Sequence, residues 1–249
     1  KDRNHFGCML IENGEADGMI SGPSRNYPDT IRPALQIVGT EPGVKKIAGM
    51  YIMFTKRGPL FLADTTVNFN PTAEELAEIT LLVAKEVKQF NIKPRIAMLS
   101  YSNFGSSDSP EANLVSKARE IIKQKDPSLI CDGEVQGILA FNKEILKENY
   151  PFTELLNGEV NILIFPNLSA GNIAYNLLQE VGGTDSIGPI LLGLNKPVHV
   201  LQLGSSIRAI FNMVLIAVVD AQTKCKTNTK EVIKKSKWWK RKKNIAQEM

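Results

Sequence analysis

Residues 72–110 read TAEELAEITLLVAKEVKQFNIKPRIAMLSYSNFGSSDSP. This stretch contains one helix, one strand and the loop that leads into the next helix. A Thr-x-x-Glu capping box begins the helix at Thr72, and its apolar residues recur every three or four positions along one face. The apolar run Arg95–Ser100 predicts a strand, and Ser109 followed by proline is typical of a helix start. A strand between two helices indicates an α/β fold.

Short apolar runs alternate with amphipathic segments along the rest of the chain, so we predict the α/β class throughout. The predicted strands are Met19-Ile20, Lys46–Thr55, Gly58–Thr66, Arg95–Ser100, Leu129–Cys131, Val160–Phe165, Ile187–Leu192 and Val198–Leu203. The predicted helices are Pro28–Val38, one that begins at Thr72, Pro110–Lys123, Ile138–Asn149, Ala170–Val181 and Ser206–Ala221. Lys46–Thr55 and Gly58–Thr66 could pair as a hairpin and add an antiparallel edge to an otherwise parallel sheet. The last helix is apolar nearly all round, so we expect it to be buried against a sheet or a partner subunit.

The net charge of +4 is the difference between two unlike regions. Residues 224–249 carry ten Lys and Arg against two Glu, whereas residues 1–223 carry 20 basic and 24 acidic residues. The basic segment has few aliphatic residues, so we predict a disordered, solvated tail. Because the body of the protein is mildly acidic, we expect no nucleic-acid partner.

Several protein classes are disfavoured by what the sequence contains. Three widely spaced cysteines and two histidines suggest neither a disulfide framework nor a metal site. The longest apolar run, Met213–Val219, is too short to cross a membrane, and no signal-peptide pattern opens the chain. We therefore expect a cytoplasmic protein without membrane contact. The chain does not begin with Met, which suggests that residue 1 lies inside a longer polypeptide. The sequence has neither a dinucleotide fingerprint nor a P-loop.

The loops that follow the strands are the places where an α/β sheet binds ligands. The serine-rich loop from Ser100 to Pro110, called the serine loop below, combines hydroxyls, backbone N–H groups and a helix start, which suits an anion such as phosphate. The alternative is a solvent loop built from ordinary turn and cap residues. The candidate ligand-binding residues in this loop are Ser100, Ser102, Asn103 and Ser106.

Three further residues are candidates for ligand binding. Asp64 could orient a ligand or hold its own loop through Asx-turns, and Asp132 with Glu134 could do acid/base work or form a solvated turn. Arg32 could hold an anion, although a lone Arg is more often a surface ion-pair partner. No catalytic constellation emerges from the residues alone.

Motifs that recur in order over about residues 5–223 resemble the phosphate acetyltransferase/butyryltransferase family. The motifs are Gly14–Gly18, Asp29–Gln36, Asn70–Glu74, Ala97–Ser102, Phe165–Leu168, Gly171-Asn172, Gly188-Pro189 and Lys196–Val198. Pro197–Leu201 and Ile207–Met213 are most similar to the carboxyl-terminal domain of bacterial hybrid NADP-dependent malic enzymes.

This resemblance implies two α/β domains around a cleft, as in phosphotransacetylases and isocitrate or isopropylmalate dehydrogenases. Residues 1–40 and 191–223 would form the first domain, truncated at its start, and residues 41–190 would form the second. Residues 224–249 would be the tail.

The resemblance also shows where this chain departs from the active enzymes. Active members of the family have Ser, Arg and Asp where Gln202, Leu203 and Ala209 stand here. In the serine loop, Asn103-Phe104 replaces a Thr-Lys pair, while Arg32 and Ser106 are retained. We therefore expect no catalytic residues in this chain.

The resemblance favours a regulatory domain of an NADP-dependent malic enzyme that binds acetyl-CoA or a related anion without transferring the acyl group. It implies a homo-oligomer, dimeric or larger, and a malic enzyme portion on the same polypeptide that would hold NADP and a divalent metal. One alternative is an active phosphate acyltransferase, and another is a purely structural dimerisation module.

Overall fold

The computed structural model describes residues 2–22, 27–202 and 204–225. The strands are β1 Met19–Ser21, β2 Ala48–Thr55, β3 Gly58–Ala63, β4 Arg95–Leu99, β5 Ile130–Val135, β6 Ile162–Ile164, β7 Ser186–Leu192 and β8 Val198–Val200. The helices are α1 Arg3–Glu12, α2 Tyr27–Pro33, α3 Ala73–Gln89, α4 Pro110–Lys125, α5 Gly137–Ala140, α6 Lys143–Asn149, α7 Leu168–Gly182 and α8, residues 207–225. A π-helical turn, Ala34–Val38, continues α2, and a 3₁₀ turn, Glu154–Leu156, follows α6. The predicted α/β class is confirmed.

Six strands form the main sheet, in the order β5-β4-β6-β3-β2-β7. The neighbours from β5 to β3 pair in parallel, whereas β2 is antiparallel to both β3 and β7. The predicted hairpin is therefore confirmed, but its predicted place at the edge of the sheet is wrong. Its first strand is buried over Ala48–Met53, and a strand covered on both faces needs a neighbour on each side.

Alternation along the central strands places side chains on both faces of this sheet. Ile96 and Met98 of β4 lie in a core with α3 and α4, whereas Ala97 between them lies in a core with α5, α6 and α7. The same alternation holds in β6, where Leu163 faces the second core. Helices thus cover both faces and leave the strand ends open for loops.

The smaller sheet pairs β1 with β8 in parallel, so it joins the two ends of the described chain. Its core includes Cys8 and Ile11 of α1 and Val198 and Val200 of β8. The larger sheet extends through Leu192 at the end of β7, two residues beyond the predicted boundary at residue 190. The division into two domains stays a prediction.

Helix α8 has only one covered face within the described chain, and its burial against a partner subunit stays a prediction. Met213, Ile216 and Asp220 are buried, whereas Phe211 is 61% exposed and Val218 is 47% exposed. The apolar character all round the helix therefore does not correspond to burial all round. Its other face is open within the part of the chain that the structure describes.

Lys224 and Cys225 continue α8, so the described helix extends two residues past the predicted start of the tail at residue 224. The Lys224 ammonium group donates to the Leu194 carbonyl oxygen at 2.7 Å and lies 3.3 Å from the Asp220 carboxylate. These contacts fix the lysine to the body of the protein. Residues 226–249, on which the prediction of disorder falls, lie outside the described residues. Among the helices described, none combines the length and the hydropathy that crossing a membrane requires.

Candidate functional site

A cavity of about 480 Å³, called the carboxyl-end cavity below, lies where β4 and β6 end. It is lined by Asn70, Pro71, Leu99, Ser100, Tyr101, Glu111, Leu114, Gly137, Phe165, Pro166, Asn167 and Ala170. This is the edge of a parallel sheet at which α/β proteins bind ligands.

Two helices begin at the carboxyl-end cavity, and each has a side-chain cap. At the start of α4, the Ser109 hydroxyl accepts from the Ala112 N–H at 3.2 Å. Pro110 is the first residue of this helix, and a proline there has no N–H group that would need an acceptor. The Asn167 carboxamide oxygen accepts from the Ala170 N–H at 2.9 Å at the start of α7. Helix starts carry partial positive charge, which favours an anionic group. The lining contains no lysine or arginine, and the carboxylate of Glu111 in the first turn of α4 opposes an anion.

Most hydroxyls of the serine loop bond within the protein. Ser102 Oγ accepts from the Ser107 N–H at 3.1 Å and lies 3.0 Å from Ser106 Oγ, which accepts from the Asn103 N–H at 2.9 Å. Of the four candidates predicted in this loop, only Ser100 lines the cavity. These hydroxyls therefore hold the turns of the loop, and an anion site in the loop stays a prediction.

Glu134 occupies the position in the serine loop where an external anion was expected. Its buried carboxylate accepts from the Gly105 N–H at 2.6 Å and from the Ser102 hydroxyl at 3.0 Å. Of the pair Asp132 and Glu134, only Asp132 was a predicted ligand-binding residue. A carboxylate in the strand next to a serine-rich loop is the sequence signal that could have identified Glu134 as an acceptor for that loop.

Asp132 and Glu134 point to different partners because β5 shifts register against β4 between them. Gly133 separates them at a φ of +139°, and a Cβ there would lie 2.5 Å from the Met98 carbonyl oxygen. Only glycine fits this position. Asp132 accepts from the Thr153 hydroxyl at 2.8 Å and pairs with Arg119 at 3.2 Å, so it does not line the carboxyl-end cavity.

Asp64 holds the loop that follows β3. Its carboxylate accepts from the backbone N–H groups of Gly49, Thr66, Val67 and Asn68 at 2.8–3.2 Å. Burial raises the pKa of this carboxyl, and the hydrogen bonds from the loop oppose the rise. The geometry therefore favours the loop-holding role over the ligand-orienting one, and Asp64 is absent from the cavity lining.

The remaining predicted residues lie apart from the cavity lining. Arg32 is exposed on α2. The Asn103 carboxamide oxygen accepts from the Gln136 N–H at 2.8 Å. Phe104, where active members of the family have Lys, packs its ring against Tyr150 at 4.9 Å between centroids. The serine loop is thus anchored on apolar contacts instead of presenting a cation.

Gln202 and Ala209, at which the resemblance expects catalytic residues, lie before α8 and within its first turn. Gln202 is exposed, and its carbonyl oxygen accepts from the Ser205 N–H at 3.2 Å. The Ala209 N–H donates to the Ser206 hydroxyl at 3.1 Å, so Ser206 caps the helix. Leu203 lies outside the described residues. The side chains described here provide neither a general base nor a cation at positions 202 and 209.

The family model described as phosphate acetyl/butaryl transferase matches residues 1–218. The phosphate acetyltransferase of Bacillus subtilis (strain 168) is 42% identical over 220 residues, which are 88% of this chain and 68% of that protein. The NADP-dependent malic enzyme of Haemophilus influenzae is 44% identical over 213 residues, which are 86% of this chain and 28% of that enzyme. The relatives therefore fall into two groups at similar identity.

The solved structures that match include a phosphotransacetylase and a more distant dehydrogenase. A phosphotransacetylase from Streptococcus pyogenes superposes with a TM-score of 0.84 at 42% identity, covering 88% of this chain and 67% of that one. A 4-hydroxythreonine-4-phosphate dehydrogenase from Klebsiella pneumoniae, at a TM-score of 0.53 and 12% identity, shares the fold alone. This chain spans 68% of the Bacillus subtilis acetyltransferase, 31% of the phosphate acetyltransferase from Nitratidesulfovibrio vulgaris and less than a third of the malic enzymes. From the match over residues 1–218, the chain belongs to the phosphate acetyl/butaryl transferase family.

Proposed function

We propose that this chain is a regulatory domain of an NADP-dependent malic enzyme, the oxaloacetate-decarboxylating kind. In this proposal the domain binds acetyl-CoA or a related acyl-CoA, supports oligomerisation and does not transfer the acyl group. It would form the carboxyl-terminal part of the polypeptide. NADP and a divalent metal would belong to the malic enzyme portion, and the described residues contain no group of His, Cys, Asp and Glu arranged to hold a metal.

The observation that carries this proposal is the set of residues at the family's catalytic positions. Gln202, Leu203 and Ala209 replace a serine, an arginine and an aspartate. Loss of a positioned general base usually lowers a rate by about 10²- to 10⁴-fold. Replacing the arginine by leucine also removes charge-assisted hydrogen bonds to a phosphate. Acyl transfer would therefore be very slow.

The carboxyl-end cavity supports the binding half of the proposal. Its volume of about 480 Å³ and the two helix starts at its wall suit part of a phosphate-bearing ligand. Asn70, Ser100, Tyr101 and Asn167 supply polar groups among apolar side chains. Binding of a ligand needs fewer chemical groups than acyl transfer does. A site that has lost its catalytic groups can therefore still bind the ligand.

Regulation requires that acetyl-CoA prefer one arrangement of the attached malic enzyme over another. A ligand shifts such an equilibrium only by its difference in affinity for the two states, and couplings of about 5- to 150-fold are typical. Removing this domain would then abolish the response to acetyl-CoA.

The second candidate function is an active phosphate acyltransferase. The 42% identity to the Bacillus subtilis phosphate acetyltransferase over 88% of this chain favours it. A purely structural dimerisation module is a third possibility, for which the open face of α8 is the relevant feature.

Two measurements on the same protein separate the three functions. We expect calorimetric titration with acetyl-CoA to show binding, and acetyl phosphate plus coenzyme A to give no acetyl-CoA above the rate without protein. Turnover would establish the acyltransferase and overturn the regulatory domain. Neither turnover nor binding would leave the structural module. In the full-length malic enzyme, unchanged regulation after deletion of this domain would also contradict the proposal.

A further inference from the structure

A second cavity, of about 590 Å³, lies at the opposite end of the main sheet, where β3, β4 and β6 begin. It is lined by Thr55, Lys56, Arg57, Gly58, Pro59, Leu60, Ile92, Arg95, Phe141, Glu159, Val160 and Asn161. We call it the amino-end cavity. None of its lining residues belongs to the carboxyl-end cavity.

Arg95 contributes a half-buried guanidinium group to the amino-end cavity, and one of its nitrogens lacks a hydrogen-bond partner among the described residues. Its Nε atom is buried and has no partner among the described residues. The side chain crosses Gly158 so closely that a Cβ there would lie 2.2 Å from Nε and 2.8 Å from Cζ. A buried N–H of a guanidinium group without an acceptor is costly, so the site favours an acceptor that comes from outside the protein.

Arg57 contributes a second guanidinium group from the turn between β2 and β3. Its Cζ lies 5.6 Å from the centroid of the Phe141 ring, and this contact sets its position over the cavity. Among the described residues, neither Arg57 nor Arg95 forms an ion pair within 4 Å.

Glu159 is the only carboxylate in the lining, and it is already engaged by Lys143. The pKa of Glu159 is lowered chiefly by the hydrogen bond from Lys143, and the charges of Arg57 and Arg95 lower it further. Both arginines and Glu159 line the same cavity. Because Lys143 neutralises that carboxylate, the positive charge of the two arginines remains available.

We propose that the amino-end cavity binds a phosphate monoester whose body is aromatic or aliphatic. Two guanidinium groups present planar forks of N–H donors that match the oxygens of a phosphate. Leu60, Ile92 and Val160 line the cavity beside them and can pack against the apolar body. The site is independent of acyl-CoA binding at the other end of the sheet.

Calorimetric titration of the intact chain with phenyl phosphate tests this site. We expect the affinity to fall at least about tenfold in Arg57→Gln, which removes one charge-assisted contact from an exposed turn. Glu159→Gln should bind phenyl phosphate more tightly, because it removes the carboxylate from the lining and releases Lys143 from its ion pair. Arg3→Gln, a matched loss of charge on α1, should bind as the unaltered protein does.

Two further measurements show where phenyl phosphate binds and whether the site prefers a phosphate to a carboxylate. Phenyl phosphate should slow the modification of Arg57 and Arg95 by phenylglyoxal, followed by mass spectrometry, and should leave Arg3 unaffected. Benzoate, a carboxylate with the same ring, should bind more weakly.

The proposal is overturned if the unaltered protein does not bind phenyl phosphate, or if Arg57→Gln binds it equally well. Equal affinity for benzoate would overturn the phosphate assignment. Ser100→Ala, which alters the carboxyl-end cavity, should leave phenyl phosphate binding unchanged. Failure of phenyl phosphate binding can therefore be distinguished from failure of acetyl-CoA binding.

Discussion

Glu134 is the residue on which the shape of the serine loop depends. Glu134→Ala would leave the Gly105 N–H and the Ser102 hydroxyl without their acceptor. We expect the free energy of unfolding to fall by about 1–3 kcal/mol, the cost of buried donors left unpaired. Urea denaturation measures this change. Asp108→Ala in the same loop removes one exposed side-chain hydrogen bond and should cost less than about 0.5 kcal/mol. Equal losses in the two variants would show that Glu134 does not organise the loop.

Glu86 on α3 makes stability depend on pH. Burial, followed by the charge of Asp220, raises its pKa from 4.5 to about 7. Because the folded state holds this proton more tightly than the unfolded state, the contribution of Glu86 is most favourable below pH 4.5 and is lost as the pH rises to about 7. We therefore expect Glu86→Gln to be more stable than the unaltered protein at pH 8, by at most about 3 kcal/mol. Near pH 4.5 the difference should largely disappear.

The same urea experiment at the two pH values checks this prediction. Glu120→Gln removes an exposed carboxylate from α4 and serves as the control, which should show no comparable pH dependence. A Glu86→Gln variant that is less stable than the unaltered protein at pH 8 would contradict the inferred cost of the buried charge.

At the scale of elements, α3 depends on its capping box. Thr72 Oγ1 accepts from the Glu75 N–H at 3.2 Å, and the Thr72 N–H donates to the Glu75 carboxylate at 3.0 Å. Thr72→Ala should lower the free energy of unfolding by about 1 kcal/mol, and Thr72→Ser should retain most of it, since the hydroxyl remains. Chemical denaturation of both variants decides the matter. Equal stability of Thr72→Ala and Thr72→Ser would mean that tertiary packing alone fixes the helix start.

The elements that sequence patterns predicted well are those specified locally. The capping box at Thr72, the cap at Ser109 and the hairpin between β2 and β3 all depend on residues a few positions apart. The position of β2 inside the sheet depends on β7, more than 130 residues further along the chain, and no local pattern encodes that pairing. The sequence predicted a site at the carboxyl ends of the parallel strands, where the cavity lies. It did not predict the hydrogen-bond partners of the polar residues there. Asp64 and Glu134 look alike in a sequence, yet one holds its own loop and the other holds the serine loop of a neighbouring strand.

At the scale of the whole molecule, Lys224 connects α8 to the rest of the protein. It contacts the Asp220 carboxylate at 3.3 Å and the Leu194 carbonyl oxygen at 2.7 Å. Lys224→Met would leave the buried Asp220 without its cation, and we expect a loss of about 1–3 kcal/mol. Deletion of residues 226–249 keeps Lys224 and should change the midpoint of thermal unfolding little. A large drop on that deletion, or none in Lys224→Met, would contradict this division between body and tail.

The open face of α8 underlies the proposed oligomer. Its exposed apolar residues are Ile207, Ile210, Phe211, Val214, Leu215, Val218 and Val219. A monomer in water rarely exposes so continuous an apolar surface, and covering it would contribute about 25 cal/mol for each Å² buried. We therefore expect the unaltered chain to sediment as a dimer or a larger assembly.

Val218→Asp should dissociate this assembly, because the new charge would have to be buried without a partner. Gln124→Asp adds the same charge to the surface of α4 and should leave the assembly intact. Sedimentation velocity, with circular dichroism to check that Val218→Asp keeps its fold, measures both. A monomeric unaltered chain would show that this face is not a contact between copies.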